Sequence, residues 1–302
     1  MTSHEAKMFT KVLVGVDGRQ GGRDAIALAR QLAAPAATLT LGHVCAPILA
    51  QGAVEALPWQ RAEAHELLER ERGRAAVDAQ LAVHDPFPVG PALHELAEQQ
   101  EADLLVVGST RHAVVGRLLF GDDCRAALDG APCAIAIAPR GYALAPHRIE
   151  RVGVGYDGSP ESERALSAAH DLASEAGAPV TVLWVVSLQD VRTERRAPAD
   201  WPGAIEDLID RHAELLAGLR DVRGRVAYGG PGEELVRLGD DVDLLIVGSR
   251  DHGPIGLLVH GSVSRYLVGH ATCPLLVLPR GTAEVTARPE AERGAHAVAV
   301  GG

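Results

Sequence analysis

One spacing recurs through this chain and limits what it can fold into. The segment Val14-Gly-Val-Asp-Gly18 returns as Val154-Gly-Tyr-Asp-Gly158, 140 positions further on. At the same offset Asp103-Leu-Leu-Val-Val-Gly-Ser109 returns as Asp243-Leu-Leu-Ile-Val-Gly-Ser249. Gly121 meets Gly261, Cys133 meets Cys273, and Pro139-Arg-Gly141 meets Pro279-Arg-Gly281. Separated blocks that keep one offset mark a tandem duplication. Each unit is domain-sized, so the duplication gives two domains and not a solenoid of short repeats. The expected boundaries are 1–145, 146–281 and a polar, Ala-rich tail over 282–302 that is expected to be disordered.

Each half alternates the two hydrophobic periods. The first predicts strands at 11–16, 37–44, 77–83, 103–107 and 134–138, with helices at 24–34, 59–72, 89–99 and 122–128. The second predicts strands at 151–156, 180–187, 225–228, 243–247 and 275–278, with helices at 161–175, 204–219, 233–238 and 263–269. Such βαβ alternation predicts, in each half, a five-stranded parallel sheet flanked by helices on both faces. Residues 141–149 read as the linker, and residues 186–203 as a mobile surface loop matching 46–58 of the first half. Ligands of open parallel sheets lie at the carboxyl ends of the strands, near the point where strand order reverses.

Composition narrows the function classes. With 47% hydrophobic residues in 302, the chain can bury a large core. A net charge of −11 argues against a nucleic-acid or anionic-membrane partner. The four cysteines, Cys45, Cys124, Cys133 and Cys273, form no CxxC pair, so neither a metal knuckle nor a redox motif is indicated. No apolar run reaches bilayer-spanning length and no signal-peptide core opens the chain, so a cytoplasmic location is expected. No P-loop or GxSxG elbow is present. Gly153-x-Gly155-x-x-Gly158 fits the dinucleotide fingerprint only by chance, because its first two glycines lie inside a predicted strand.

The most informative stretch is 244–262. Leu244 to Val247 form a buried strand that stops at Gly248. Gly261-Ser262 opens the next helix, with Ser262 placed as its N-cap. Strand, glycine loop and helix N-terminus together can hold an anion, because loop amides and the helix dipole favour negative charge. The plain alternative is that Gly248 ends a strand and Ser262 caps a helix. Asp17 and Asp157 likewise have a local alternative as turn acceptors ahead of a helix.

These residues resemble the universal stress protein family. They are the first strand ending in Val-Gly-x-Asp-Gly, the Asp-Leu-Leu-(Val/Ile)-Val-Gly-Ser strand, the glycine loop that follows, and the closing Cys-Pro-Leu-Leu-Val-Leu-Pro strand. The resemblance covers both halves, so it implies the tandem type. Its two Rossmann-like (adenine nucleotide alpha hydrolase-like) domains would pair through their last strands into an intrachain pseudo-dimer able to associate further as a homodimer. It implies ATP, with or without Mg²⁺, held by the loop after the fourth strand, with adenosine near the end of the first.

Carried over by position, the second-half site comprises Gly155, Asp157, Gly248, Ser249, Arg250, Asp251, His252, Gly253, Gly261, Ser262 and Val263. The first-half site comprises Gly15, Asp17, Gly108 and Gly121. Asp251 stands where the family loop has its second glycine, and its carboxylate repels phosphate unless a divalent cation bridges them. In the first half Arg111 replaces that glycine and Asp122 the closing Ser/Thr, so that site reads as degenerate. Three functions follow, in order of preference. The first is an ATP-binding regulatory protein without efficient turnover and without catalytic residues. The second is a nucleotide-free scaffold. The third is a slow ATPase using His252 and a metal near Asp251.

Overall fold

The computed structural model describes residues 9–45, 58–85, 88–109, 111–114, 117–120, 127, 130–194, 197–249 and 262–278. The first half contains β1 (Phe9–Gly15), α1 (Gln20–Leu32), β2 (Ala33–Val44), α2 (Pro58–Ala75), β3 (Gln80–His84), α3 (Val89–Gln99), β4 (Leu104–Gly108), β5 (Arg111–Val114), β6 (Arg117–Phe120) and β7 (Ala134–Ala138). The second contains β8 (Val152–Gly155), α4 (Pro160–Ala176), β9 (Val180–Val186), α5 (Leu188–Thr193), α6 (Trp201–Ala217), β10 (Val222–Tyr228), α7 (Pro231–Gly239), β11 (Leu244–Gly248), α8 (Ser262–His270) and β12 (Leu275–Leu278).

Ten strands form one sheet in the order β10-β9-β8-β11-β12-β7-β4-β1-β2-β3. Neighbours are parallel within each half. The halves join where β12 runs antiparallel to β7, with Leu276 opposite Ala136. Both strands are almost wholly buried. Left as an edge, either would offer an apolar pairing template, and pairing them removes that hazard.

The central strands read as unbroken apolar runs because both their faces are covered. Leu244 and Ile246 enter the core layer under α1 and α4, and Leu245 and Val247 enter the layer under α3, α7 and α8. The duplicated residues set the register twice. Asp103 accepts from the Thr10 and Lys11 N–H groups at 2.8 and 3.1 Å. Asp243 accepts from the Glu150 N–H at 3.0 Å and from the Arg151 guanidinium at 2.8 Å. Burial opposes ionisation of Asp243, but Arg151 and the Glu150 N–H outweigh it and hold its carboxyl below the ordinary aspartate value.

Several expectations are corrected. Residues 186–203 are not simply a surface loop. Ser187 and Asp190 form a reciprocal capping box that starts α5. Val191 is fully buried there, against Val186, Ala204 and Leu208. The linker is anchored. Gly141 turns with φ +84°, Tyr142–Leu144 form a 3-10 turn, and Asp24 of α1 accepts from the Gly141 and Ala143 N–H groups at 2.8 Å each. Burial pushes the Tyr142 hydroxyl up to about 12. Residues 111–114 and 117–120, read as loop, are strands β5 and β6 and pair antiparallel. Ser262, expected as the cap, is the first residue of α8. The predicted helix at 122–128 and the tail also lie outside them, except Ala127, which is helical and buried.

Candidate functional site

The β8–α4 connection shows how local chemistry shapes the carboxyl edge. β8 ends at Gly155. The Asp157 carboxylate then accepts the Ser159 N–H at 3.0 Å, and Gly158 takes φ +74°. The chain turns and enters α4, where Ser159 caps the Ser162 N–H. The first half repeats this: Asp17 accepts the Arg19 N–H at 2.9 Å, and Gly18 has φ +71°. Both aspartates therefore act as turn acceptors, whatever else they contact.

Gly108 and Gly248 have a packing reason to be glycine. A β-carbon at Gly108 would lie 1.9 Å from the Gly21 carbonyl oxygen, and one at Gly248 would lie 2.5 Å from that of Glu161. The N-terminal turns of α1 and α4 rest directly on the ends of β4 and β11. Gly153 and Gly155 lie within β8 and face Val242, Leu238, Leu235 and Val247, which accounts for the GxGxxG pattern by packing. Ser109 and Ser249 follow the two strands, and each N–H donates to the neighbouring strand at 2.9 Å. Their hydroxyls are buried and have no hydrogen-bond partner among the described residues.

A cavity of about 510 Å³ opens at the carboxyl edge of the second half. That volume is in the range of small-molecule sites. One wall is Ser187, the cap of α5, with Leu188 and Gln189 of that helix's first turn. The second is the loop Tyr228 to Glu233, from the end of β10 into α7. The third is Ser262, Val263 and Tyr266 of α8. Three helix N-termini, those of α5, α7 and α8, thus converge on it. Pro231 at the head of α7 has no N–H, and the N–H groups of Gly232 and Glu233 precede the first intrahelical bonds. The Tyr266 ring packs against Gly232, where a β-carbon would meet it at 2.5 Å, and stacks on His270 at 3.9 Å.

Of the site residues predicted from sequence, Ser262 and Val263 line this cavity. Gly155, Asp157, Gly248 and Ser249 lie at the ends of β8 and β11, on the same edge of the sheet. Gly15, Asp17 and Gly108 hold the equivalent places in the first half. Arg250, Asp251, His252, Gly253, Gly261 and Gly121 lie outside the described residues. Sequence reasoning missed the other two walls. Gly229-Gly230-Pro231-Gly232 after β10 is a glycine turn leading into a proline-started helix, and Ser187-x-x-Asp190 is a capping signature. Both signals were present in the sequence.

No group of three or more His, Cys, Asp or Glu side chains converges to hold a metal among the described residues. Burial pushes the Cys133 and Cys273 thiols up to about 12, so they behave as apolar core. No helix among the described residues is long and apolar enough to cross a membrane.

Comparison with known proteins places this architecture. Residues 8–139 and 148–279 each match the model of the universal stress protein family. A universal stress protein of Mycobacterium tuberculosis is 27% identical over 285 residues, which is 88% of this chain and 95% of the relative. Another from that species is 28% identical over 231 residues, 72% of this chain and 78% of the relative. A solved universal stress protein from Archaeoglobus fulgidus has a TM-score of 0.62, covers 90% of this chain and 98% of its own, and at 16% identity shows likeness of fold. Both halves match one family model in the order the duplication requires, and the chain belongs to the universal stress protein family in its tandem form.

Proposed function

We propose that this protein binds an adenine nucleotide, ATP in the first instance, in its second domain and acts as a regulatory binding protein without efficient turnover. The observation that carries the reading is the cavity at the carboxyl edge of that domain, where the N-termini of α7 and α8 converge beside Ser262. Helix N-termini favour phosphate through free N–H groups and the dipole. The buried, unpartnered Ser249 hydroxyl on the same edge adds a donor that a ligand or water can satisfy.

Denaturing the freshly purified protein and identifying released nucleotide by mass spectrometry tests this, followed by calorimetry with ATP and Mg²⁺. About one nucleotide per chain supports the second domain. About two per chain restores the first-domain site despite Arg111 and Asp122. No nucleotide, and no heat on adding ATP, overturns the reading. Phosphate release above background overturns the part that excludes turnover.

A second reading rests on the β7–β12 junction. The two domains join as a pseudo-dimer through one continuous sheet. On that reading the chain is a scaffold whose partner-binding face, or pairing into a homodimer, is its function. Unchanged oligomeric state and unchanged partner capture with and without nucleotide favour it.

A further inference from the structure

Resting on the nucleotide reading above, we propose that the first domain completes the second-domain site: strand β6 (Arg117–Phe120) braces α8 and so sets Ser262, Val263 and Tyr266 in place on the cavity. A juxtaposition across the domain junction carries the argument. β6 lies in the first-domain stretch that matches the second-domain glycine loop, yet it comes alongside α8, a helix of the other domain. The sheet register explains how. β12 runs antiparallel to β7, and Leu275 at the start of β12 stands opposite Ile137 near the end of β7. The carboxyl edge of the first domain therefore meets the amino end of β12. α8 ends at His270, just ahead of that strand. The core is shared there as well. Leu267 is fully buried and Val268 nearly so, in a layer that also takes in Ala127, Ala131 and Ile137 of the first domain.

A displacement of α8 reaches the cavity directly. The helix has nine residues, too few to hold its place without tertiary packing. It carries Ser262, Val263 and Tyr266 into the cavity wall. Tyr266 meets the head of α7 without slack. A β-carbon at Gly232 would lie 2.8 Å from its Cγ and 3.2 Å from its Cβ, and no change of rotamer moves the second of these away. The same ring stacks on His270 at 3.9 Å and 8°. It thereby ties the cavity wall to the end of the helix nearest the domain junction. A packed element seated by one domain and lining the site of the other is a physical route for coupling between them. The first domain keeps a role on these terms after Arg111 and Asp122 replaced the glycine and Ser/Thr of its own loop. That stretch supports its neighbour instead of holding a ligand.

Calorimetry with ATP and Mg²⁺ and hydrogen exchange, both on the nucleotide-freed full chain, test the proposal. The variant Arg117→Gly/Leu118→Ser/Leu119→Gly/Phe120→Ser removes the strand-forming residues of β6. It should bind ATP about tenfold more weakly, with faster exchange at residues 267–270 and unchanged exchange in β11. In wild type, ATP should slow exchange in β6, because coupling is reciprocal. In Ser262→Ala that protection should need more ATP by the same factor as binding does. Unchanged affinity in the fourfold variant overturns the proposal. So does β6 exchange that ignores ATP. Protection of β6 that persists in Ser262→Ala at the wild-type ATP concentration puts the ligand on the first domain and also overturns it. If the variant loosens β11 too, the exchange experiments on wild type and Ser262→Ala decide by themselves. Wild type that binds no nucleotide overturns the nucleotide reading, whereas binding with an indifferent β6 leaves that reading standing.

Discussion

The two domains are nearly the same machine up to the ends of their strands and differ beyond them. Asp17 and Asp157 make the same turn, Asp103 and Asp243 clamp the same strand start, and Gly108 and Gly248 seat the same helix. One helix further along, the chemistry inverts. Asp24 in α1 is fully buried and holds the chain leaving β7, whereas the matching position in α4 is Arg164. The Arg164 guanidinium reaches Glu161 at 3.3 Å, but its Nε is buried without a partner. The turn into the first helix differs as well. In the first domain Arg23 ties it to α2 through both oxygens of Glu71, at 3.0 and 3.1 Å, and through the Gly18 carbonyl. The second domain has Glu163 there, bonded to the Tyr156 hydroxyl, while Tyr156 meets Trp184 edge-on and Trp184 stacks on His212 at 4.1 Å. Duplication kept the residues that the sheet requires and altered those that decide what packs around its carboxyl edge.

The sharpest way to break this comparison is at the shared glycines. Gly108→Ala and Gly248→Ala force a backbone carbonyl to move in each domain. Each should cost about 3 kcal/mol or more, read from denaturation midpoints, with Gly108 the worse because its clash is closer. Equal and negligible effects would show that α1 and α4 are not seated as described. Next comes the inverted pair. Asp24→Ala leaves the Gly141 and Ala143 N–H groups and the Gln20 amide without their acceptor. It should cost about 2–4 kcal/mol, while Arg164→Ala should cost under about 1 kcal/mol. Similar losses at both positions would erase the asymmetry.

Acid should act through the second-domain clamp. The Asp243 carboxyl has a folded pKa below its unfolded value near 3.9. Its contribution is therefore complete above about pH 4 and is lost as pH falls through the folded pKa. Comparing stability at pH 5 and pH 3, Asp243→Asn should start lower and fall less than wild type; parallel slopes would remove Asp243 from the acid response. The smallest effect is expected at the orphan hydroxyls. Ser109→Ala and Ser249→Ala should each lie within about 1 kcal/mol of wild type and can be stabilising, because an unpartnered buried hydroxyl is replaced by a methyl. A loss confined to Ser249→Ala, accompanied by weaker nucleotide binding, would separate the two domains by function.

Most of the fold was legible because its signals are local. Apolar runs such as Leu244 to Val247 gave the central strands, and Asp-Gly after a strand gave the turns. The candidate site was legible only at Ser262 and Val263. The walls supplied by Ser187 to Gln189 and by Tyr228 to Glu233 stand roughly 30 to 75 positions earlier in the chain. Periodicity says nothing about which loops meet, so α5 read as loop and the glycine turn before α7 went unweighed.

The sequence by itself determined the duplication, the parallel α/β class and the β1-to-helix turns, since offset, period and Asp-Gly chemistry act over a few residues each. Only the tertiary structure decided that the two sheets run through β7 and β12 as one, that Asp24 holds the linker, that Gly108 and Gly248 are fixed by helices and that the segments at Ser187, Gly230 and Ser262 meet around a cavity. Each of those depends on side chains or backbone atoms brought together from distant positions, and burying the apolar faces of the sheet is what brings them there.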